Sequence, residues 1–476
     1  MRSQAKEKEL FESTPIMKAI AELAFPSIMG QIILVIYNMA DTFFVGLTRS
    51  DEMITAVTVC MPAFMFLSAI SNLFGVGGAS VISRFLGAHN KDDARRASAF
   101  AIWGCTAVSI LYAFGAWLFM DVFVNLLGGG TNEAVHREAC RYMLVAVVIG
   151  GAVTALNTLF SHLVRAEGRS MQASAGIMLG GILNMVLDPL FMFVILPRGN
   201  EVIGAALATM LSNVAALIYF LIIIIKNRKV LVLSAKPEKA MFGHNIPSAV
   251  ISIGIPACLM TLCENISYAI LDNLMSLAGT AQQAGIGVAK KVNMLAHCIV
   301  RGMSQGVLPL IGYNFASGNK KRMRQTVYIS AGISIVISTI CMTVCLLFAR
   351  ELIGLFIPEA SESHEWGNRF LRILCIGAPF SACAYAVISF FQATGHGVKS
   401  LILALLRKGV LDIPLMFVLN GIYPTYGIVW ATPIADIICS ICAAILFAAF
   451  MKKHANNPAP AEAAKREIVA EAHSAT

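Results

Sequence analysis

Charge is scarce in this 476-residue chain: only 13% of its residues are Asp, Glu, Lys or Arg, against 57% that are hydrophobic. Soluble globular domains carry about 25% charged and 45–50% apolar residues. The deficit excludes a soluble enzyme, a disordered chain and a nucleic-acid-binding domain, and a mean hydropathy of +0.74 calls for an apolar solvent. Other absences narrow the field. The chain has no phosphate-binding glycine loop, no helical histidine pair spaced for zinc and no nucleophile elbow. It is therefore expected not to be an enzyme, not to pump with ATP on its own, and to need no cofactor or metal. Paired cysteine motifs are also missing. Of twelve cysteines, only Cys439 and Cys442 form a C-x-x-C. That motif lies in a continuous apolar run without a second pair, where thiols read as packing residues. The first ten residues lack the apolar core of a cleaved signal peptide, so the first membrane helix is expected to remain as an anchor.

What is present is length and apolarity in repeated blocks. A membrane span needs about 20 mostly apolar residues. Twelve segments qualify, at 16–46, 53–83, 97–120, 140–164, 171–196, 201–225, 246–277, 281–313, 325–349, 369–394, 398–420 and 425–451. The net charge of +9, which in a cytosolic protein would suggest nucleic acid, reads here as topogenic. One set of loops holds Arg84, Lys91, Arg95, Arg96, Arg165, Arg169, five basic residues between Lys226 and Lys239, four between Lys320 and Arg324, and Lys399. The opposite set holds Arg49, Arg137, Arg141, Arg198, Arg350, Arg369 and Arg372. The richer set is assigned to the cytoplasm, which places both termini inside.

The two halves echo each other. Gly87–Arg96 is matched by Ala316–Gln325, Phe25-Pro26 by Ile255-Pro256, and Arg165–Gly168 by Gln392–Gly395. Gly204–Thr209 is matched by Gly427–Thr432, and Asp188 by Asp412. Six spans per copy make the repeat parallel. The expected organisation is all-α and integral to the membrane: a cytoplasmic segment 1–15, a six-helix lobe 16–225, a linker 226–245, a second six-helix lobe 246–451 and a tail 452–476, mobile from Asn456. Two such lobes around a central cleft are the architecture of an alternating-access carrier.

Intramembrane carboxylates are costly, and each is a functional candidate. Asn38 and Asp41 share a face of the first span, as do Asn184 and Asp188 in the fifth. The two acids can meet within one lobe, where desolvation and mutual repulsion suit a group that takes up and releases a proton. The competing reading makes Asp188, followed by Pro189, a helix break and puts Asp41 near the headgroups. In the second half Glu264, Tyr268 and Asp272 line one face of span seven, and Asp412 lies in span eleven. These either bind a cation or are neutralised by Lys290, Lys291 and Arg301. Asp436 has no partner evident from the sequence. The 23 methionines suit an adaptable pocket as well as ordinary packing.

Tyr37–Gly46, Gly75–Ser80 and Ser83–Gly87 in the first half, with Gly302–Gly306 and Pro309–Asn314 in the second, resemble the multidrug and toxic compound extrusion (MATE) family, in particular its bacterial MepA-like branch. The likeness runs from about residue 16 to 451. It implies an antiporter in the bacterial inner membrane that expels cationic, amphipathic drugs in exchange for protons or sodium ions, as a monomer among membrane lipids and without nucleic acid. It also implies an ion-coupling site at Asp41, Asn184, Asp188 and Thr209, of which Asp41, Asn184 and Asp188 would also form the sodium site. Substrate contacts are implied at Gln31, Asn38 and Asn157, with Glu264 standing for the span-seven acid of sodium-coupled relatives, and helix bending at Pro26. The sequence departs from those relatives in offering no acid in Cys383–Gln392, which favours the first lobe for coupling. Two rival readings are a lipid or lipid-linked oligosaccharide flippase, which should have a basic cleft, and a passive channel or receptor.

Overall fold

The computed structural model describes residues 4–48, 50–243 and 245–455. Arg49 and the expected mobile tail, 456–476, lie outside the described residues. The described chain is helical throughout: α1 (Gln4–Glu12), α2 (Ile16–Gly46), α3 (Asp51–Gly87), α4 (Lys91–Leu118), α5 (Met120–Leu126), α6 (Glu133–Met143), α7 (Gly151–Ala166), α8 (Ser170–Leu190), α9 (Glu201–Lys226), α10 (Ile246–Ala278), α11 (Thr280–Ala316), α12 (Lys320–Leu347), α13 (Ala349–Gly354), α14 (Glu362–Leu374), α15 (Ala378–Ala393), α16 (Gly397–Leu405), α17 (Ile413–Ile422) and α18 (Tyr426–Ala455). Helix is the expected solution, because the bilayer offers no partner for an open backbone N–H or C=O.

Among the described residues, ten helical segments are long and apolar enough to cross a membrane. Counted as one span, the pair Glu133–Ile149 and Gly151–Ala166, bent by 48°, makes an eleventh. The remaining expected segment, 398–420, is helical as well: α16 and α17 are joined by a π-helical stretch, Leu406–Asp412. Its Arg407, Lys408 and Asp412 are what lower its apolarity. The protein is therefore a multi-pass membrane protein, with large side chains such as Leu111, Val194 and Val398 exposed along its flanks as a lipid-facing surface requires. The longest spans, α3 and α11, have 37 residues each, or about 55 Å at 1.5 Å per residue. They overrun the roughly 30 Å hydrocarbon layer.

The repeated loops have a local physical cause. Asn90 and Asn319 are the N-caps of α4 and α12: their side chains accept from the amides of Asp93 at 3.1 Å and Arg322 at 3.0 Å. The residue before each cap is left-handed, with φ +59° at His89 and +81° at Gly318. Gly168 and Gly395, which close the matched Arg165–Gly168 and Gln392–Gly395 segments, share the same backbone state at +80° and +83°. The linker lies against the first half: the carboxylate of Glu167 accepts from the amides of Val232 and Leu233 at 3.1 Å, and Ser98 Oγ accepts from Ser234.

Where apolar residues of the two halves mix locates the opening. At the basic-loop ends one core joins Leu23, Ala24 and Val76 to Ile253, Val307 and Ile311, and another joins Phe100 and Leu163 to Ile246 and Val250. At the opposite ends the cores are separate. One is built from Val45, Val57, Tyr142 and Met192, the other from Leu271, Ile286, Phe370 and Val429. The halves are thus sealed at the basic-loop ends and parted at the other. The seal depends on small residues: a Cβ on Gly306 would stand 2.6 Å from Ala24 Cα, so α11 and α2 touch backbone to backbone. Pro26 sits beside this contact inside a helix that continues from Ile16 to Gly46. Its missing N–H leaves one backbone bond of that helix unmade. The N-terminal helix α1 caps the sealed end. Phe11 stacks on Tyr313 at 4.9 Å, and Arg322 donates to the carbonyls of Phe11 and Leu10 at 2.7 and 3.1 Å.

Candidate functional site

A cavity of about 340 Å³ lies between the halves. Its walls include Gln31, Tyr37, Asn38 and Asn72 from α2 and α3, Asn157 and Arg165 from α7, Asn184, Thr209 and Asn213 from α8 and α9, and Glu264, Arg301, Gln305, Tyr385 and Gln392 from the second half. Apolar Leu34, Phe64, Met65, Met260, Met294 and Ile388 also line it. Mixed walls of this kind suit an amphipathic ligand.

In the first half, α8 places Asn184 one turn before Asp188. Asn184 Nδ2 donates to Asp188 Oδ1 at 3.2 Å and to Thr209 Oγ1 on α9 at 3.3 Å. Asp188 is fully buried and Asn184 nearly so. Two oxygens of this cluster, Asp188 Oδ2 and Asn184 Oδ1, have no hydrogen-bond partner. Buried acceptors without donors are costly, and a hard cation or a proton satisfies them. Asp41 stands on α2, which packs on α8, within Coulombic range of Asp188, and Tyr37 and Tyr142 lie within range of both acids. Neither acid lines the cavity itself. Asn184, Thr209 and Tyr37 of the same cluster do.

The residues expected to touch substrate are spread along the walls. Gln31 donates to Gln305 Oε1 across the halves at 3.2 Å. Asn38 is exposed to the cavity and bonds the carbonyl of Leu34. Asn157 donates to Asn213 Oδ1 at 2.9 Å, and Asn213 to Thr154 at 3.1 Å. Asn213, Gln305 and Asn72 were not singled out by sequence, although each is an amide inside an apolar run.

The second half takes the neutralised of the two alternatives that its sequence leaves open. Glu264 is not a lone acid: Arg301 holds it at 2.9 Å and Tyr385 donates to it at 3.3 Å. Asp272 is held by Lys290 and is half exposed. Asp436 does have a partner, Arg407, at 2.6 Å, both fully buried. Asp412 receives Lys408 at 2.7 Å, Ser267 at 2.6 Å and Thr432 at 2.9 Å. Four cations thus meet four acids, with Tyr385 under the Arg407 guanidinium at 4.5 Å.

The repeat gives this network its meaning. Asp412 corresponds to Asp188 and Thr432 to Thr209, and four residues before each acid stands Lys408 in one half and Asn184 in the other. The ammonium of Lys408 occupies the second half where the first has two unpartnered oxygens. Apart from the cavity, on the parted ends, Asp121, His136 and Cys140 bring ligand-type atoms within 4.8 Å of one another.

Arg165, read from sequence as a cytoplasmic loop charge, is instead buried in the last turn of α7 and lines the cavity. With Glu264 neutralised and Asp188 set behind the wall, the lining is less acidic than the sequence suggested.

The comparisons with known proteins agree with this geometry. The MatE family profile matches residues 26–190 and 256–418, one block in each half. The Multidrug export protein MepA of Staphylococcus aureus (strain MRSA252) is 30% identical over 443 residues, spanning 92% of this chain and 94% of that protein. The protein of the same name from Staphylococcus haemolyticus is 29% identical over 446 residues, spanning 92% and 95%. Among solved structures, a MATE protein in complex with MaD3S superposes with a TM-score of 0.86 at 22% identity, covering 95% of this chain and 99% of that one. An outward-facing multidrug resistance MATE family transporter gives 0.84 at 23% identity, covering 95% and 100%. The chain belongs to the multidrug and toxic compound extrusion (MATE) family.

Proposed function

We propose that the protein is a multidrug efflux antiporter of the bacterial plasma membrane, which exchanges cationic or amphipathic compounds for protons or sodium ions by alternating access. The single observation that carries the coupling assignment is the pair of unpartnered buried oxygens on Asp188 and Asn184, beside Thr209 and within range of Asp41. A cation arriving there relieves an unmet electrostatic demand, and its departure restores it. The equivalent place in the second half already holds Lys408, so coupling is assigned to the first lobe. The two six-helix lobes, 16–225 and 246–451, are the moving bodies, and one chain encloses the cavity, which fits a monomer.

The mixed amphipathic lining and the multidrug export relatives support the substrate class. Gln31, Asn38, Asn157 and Glu264 are proposed to contact substrate, and Pro26 to let α2 bend beside the Gly306 contact. With the basic loops in the cytoplasm, the sealed ends face inward, so the cavity opens to the outside. A pyrophosphate-lipid flippase would want several unpaired cations in the cleft; among the described lining residues Arg301 is paired with Glu264, which leaves a single arginine, Arg165, without an acid. A channel needs no such ion cluster. The test is uptake of a cationic dye by proteoliposomes under separately imposed proton and sodium gradients. Accumulation driven by either gradient supports antiport, and equal uptake with no gradient rejects it.

A further inference from the structure

We propose that the sealed floor of the cavity is an oxyanion site, built by Arg165 and its repeat counterpart Gln392, which takes a carboxylate or phosphate group that is carried on a substrate or enters beside it. This rests on the reading of the cavity as a drug pathway and extends it to zwitterionic compounds.

Arg165 is only 2% exposed. Its Nη1 donates to Gln305 Oε1 at a long 3.5 Å, and its Nε and Nη2 have no acceptor. The same Gln305 oxygen already receives Gln31 Nε2 at 3.2 Å, so it is shared between two donors. A cation removed from water without a counter-charge is strongly disfavoured. The acids that might serve are engaged elsewhere: Glu167 by the amides of Val232 and Leu233, Glu264 by Arg301 and Tyr385.

Gln392 repeats the pattern from the other half. It matches Arg165 in the internal repeat, three residues before the left-handed Gly395 as Arg165 is before Gly168. It is 5% exposed, lines the same cavity, and its Nε2 also lacks an acceptor. The buried side-chain atoms of Arg165 and Gln392 that lack a partner are therefore all donors. Two adjacent N–H groups of a guanidinium form a fork that fits the two oxygens of a carboxylate or phosphate, and the planar pairing favours these groups over a spherical anion. Leu308 and Ile388 line the same cavity with apolar surface, so the ligand favoured is an amphiphile that carries an oxyanion.

The experiment uses the purified full chain and two probes, rhodamine B, which carries a carboxylate, and its ethyl ester, which does not. Binding is read by fluorescence polarisation in wild type, Arg165→Gln and Gln392→Leu. A charge-assisted bond predicts at least about a tenfold loss of rhodamine B affinity in Arg165→Gln, with the ester changed by less than about twofold. Gln392→Leu should give a smaller loss in the same direction, and it alone tests the site if Arg165→Gln does not fold. A free anion is distinguished by adding inorganic phosphate. If phosphate raises ester affinity in wild type and not in Arg165→Gln, the oxyanion comes from solution. Equal losses for both dyes, or none, together with no phosphate effect overturn the site while leaving the drug pathway standing. If neither dye binds wild type, the drug reading fails, and thermal unfolding decides the site. Phosphate should then stabilise wild type more than Arg165→Gln, and equal stabilisation overturns the proposal.

Discussion

Removing the Lys408 ammonium is the perturbation whose size the structure constrains most tightly. Lys408 and Asp412 are 2.7 Å apart with side chains 2% and 0% exposed, so solvent screens almost nothing. Lys408→Met leaves the carboxylate with two neutral donors, Ser267 and Thr432, and no counter-charge. Breaking a buried pair from one side costs about 3–5 kcal/mol, whereas replacing both partners by apolar residues of similar size is often neutral. The double variant Lys408→Met/Asp412→Leu should therefore be more stable than the sum of its two single variants predicts, by several kcal/mol of coupling. The pair Lys290–Asp272 is the internal control. It is as short, at 2.5 Å, but Asp272 is 48% exposed, and exposed pairs contribute about 1 kcal/mol or less. The assay is reversible unfolding of the purified protein in mixed micelles for both double-mutant cycles. Additive effects at Lys408 and Asp412, or a coupling no larger than that of the control pair, would refute the view that this network is a closed, self-neutralised counterpart of the first-half site.

Glu264→Gln should change affinity for a permanently cationic dye by less than about tenfold, because Arg301 at 2.9 Å already cancels most of the attraction; an equilibrium binding titration checks this, and a loss of about a hundredfold would restore Glu264 as a free counter-charge. Arg322→Gln removes the bonds to the carbonyls of Phe11 and Leu10. It should loosen α1 by about 1.5–3 kcal/mol per charged bond lost, read as faster amide exchange confined to residues 4–12. Single cysteines at Lys91 or Lys321, in a cysteine-free background, should react with an impermeant maleimide only from the cytoplasmic side. Labelling from outside would invert the orientation.

Apolar segments are the most legible part of the chain, since twelve runs of sufficient length leave few alternatives to a helical bundle. Three helical irregularities are not legible. The π stretches at Leu144–Ile149, Phe191–Ile195 and Leu406–Asp412 depend on hydrogen-bond register, which leaves no compositional trace. The Asn184–Asp188 contact can be read because an i,i+4 spacing is local. The partner of Asp436 cannot, because it lies 29 residues away on a neighbouring helix; Arg301 and Lys290 are legible as neutralising cations, but which of them meets Glu264 and which Asp272, across 37 and 18 residues, depends on tertiary packing. One further signal does lie in the sequence: Lys408 precedes Asp412 by the same four residues that separate Asn184 from Asp188. Arg165 misleads because an arginine at the end of an apolar run looks like a loop charge whether it faces water or a cavity.

The central claim is that Asp188 carries the exchanged cation. Its most direct test is gradient-driven accumulation of a cationic dye in proteoliposomes containing Asp188→Asn, with dye binding measured on the same preparation. The substitution keeps the shape and removes the charge, so dye should still bind with affinity close to wild type while neither a proton nor a sodium gradient drives its accumulation. Gradient-driven accumulation at the wild-type rate in Asp188→Asn would contradict the assignment and move the coupling site elsewhere in the molecule.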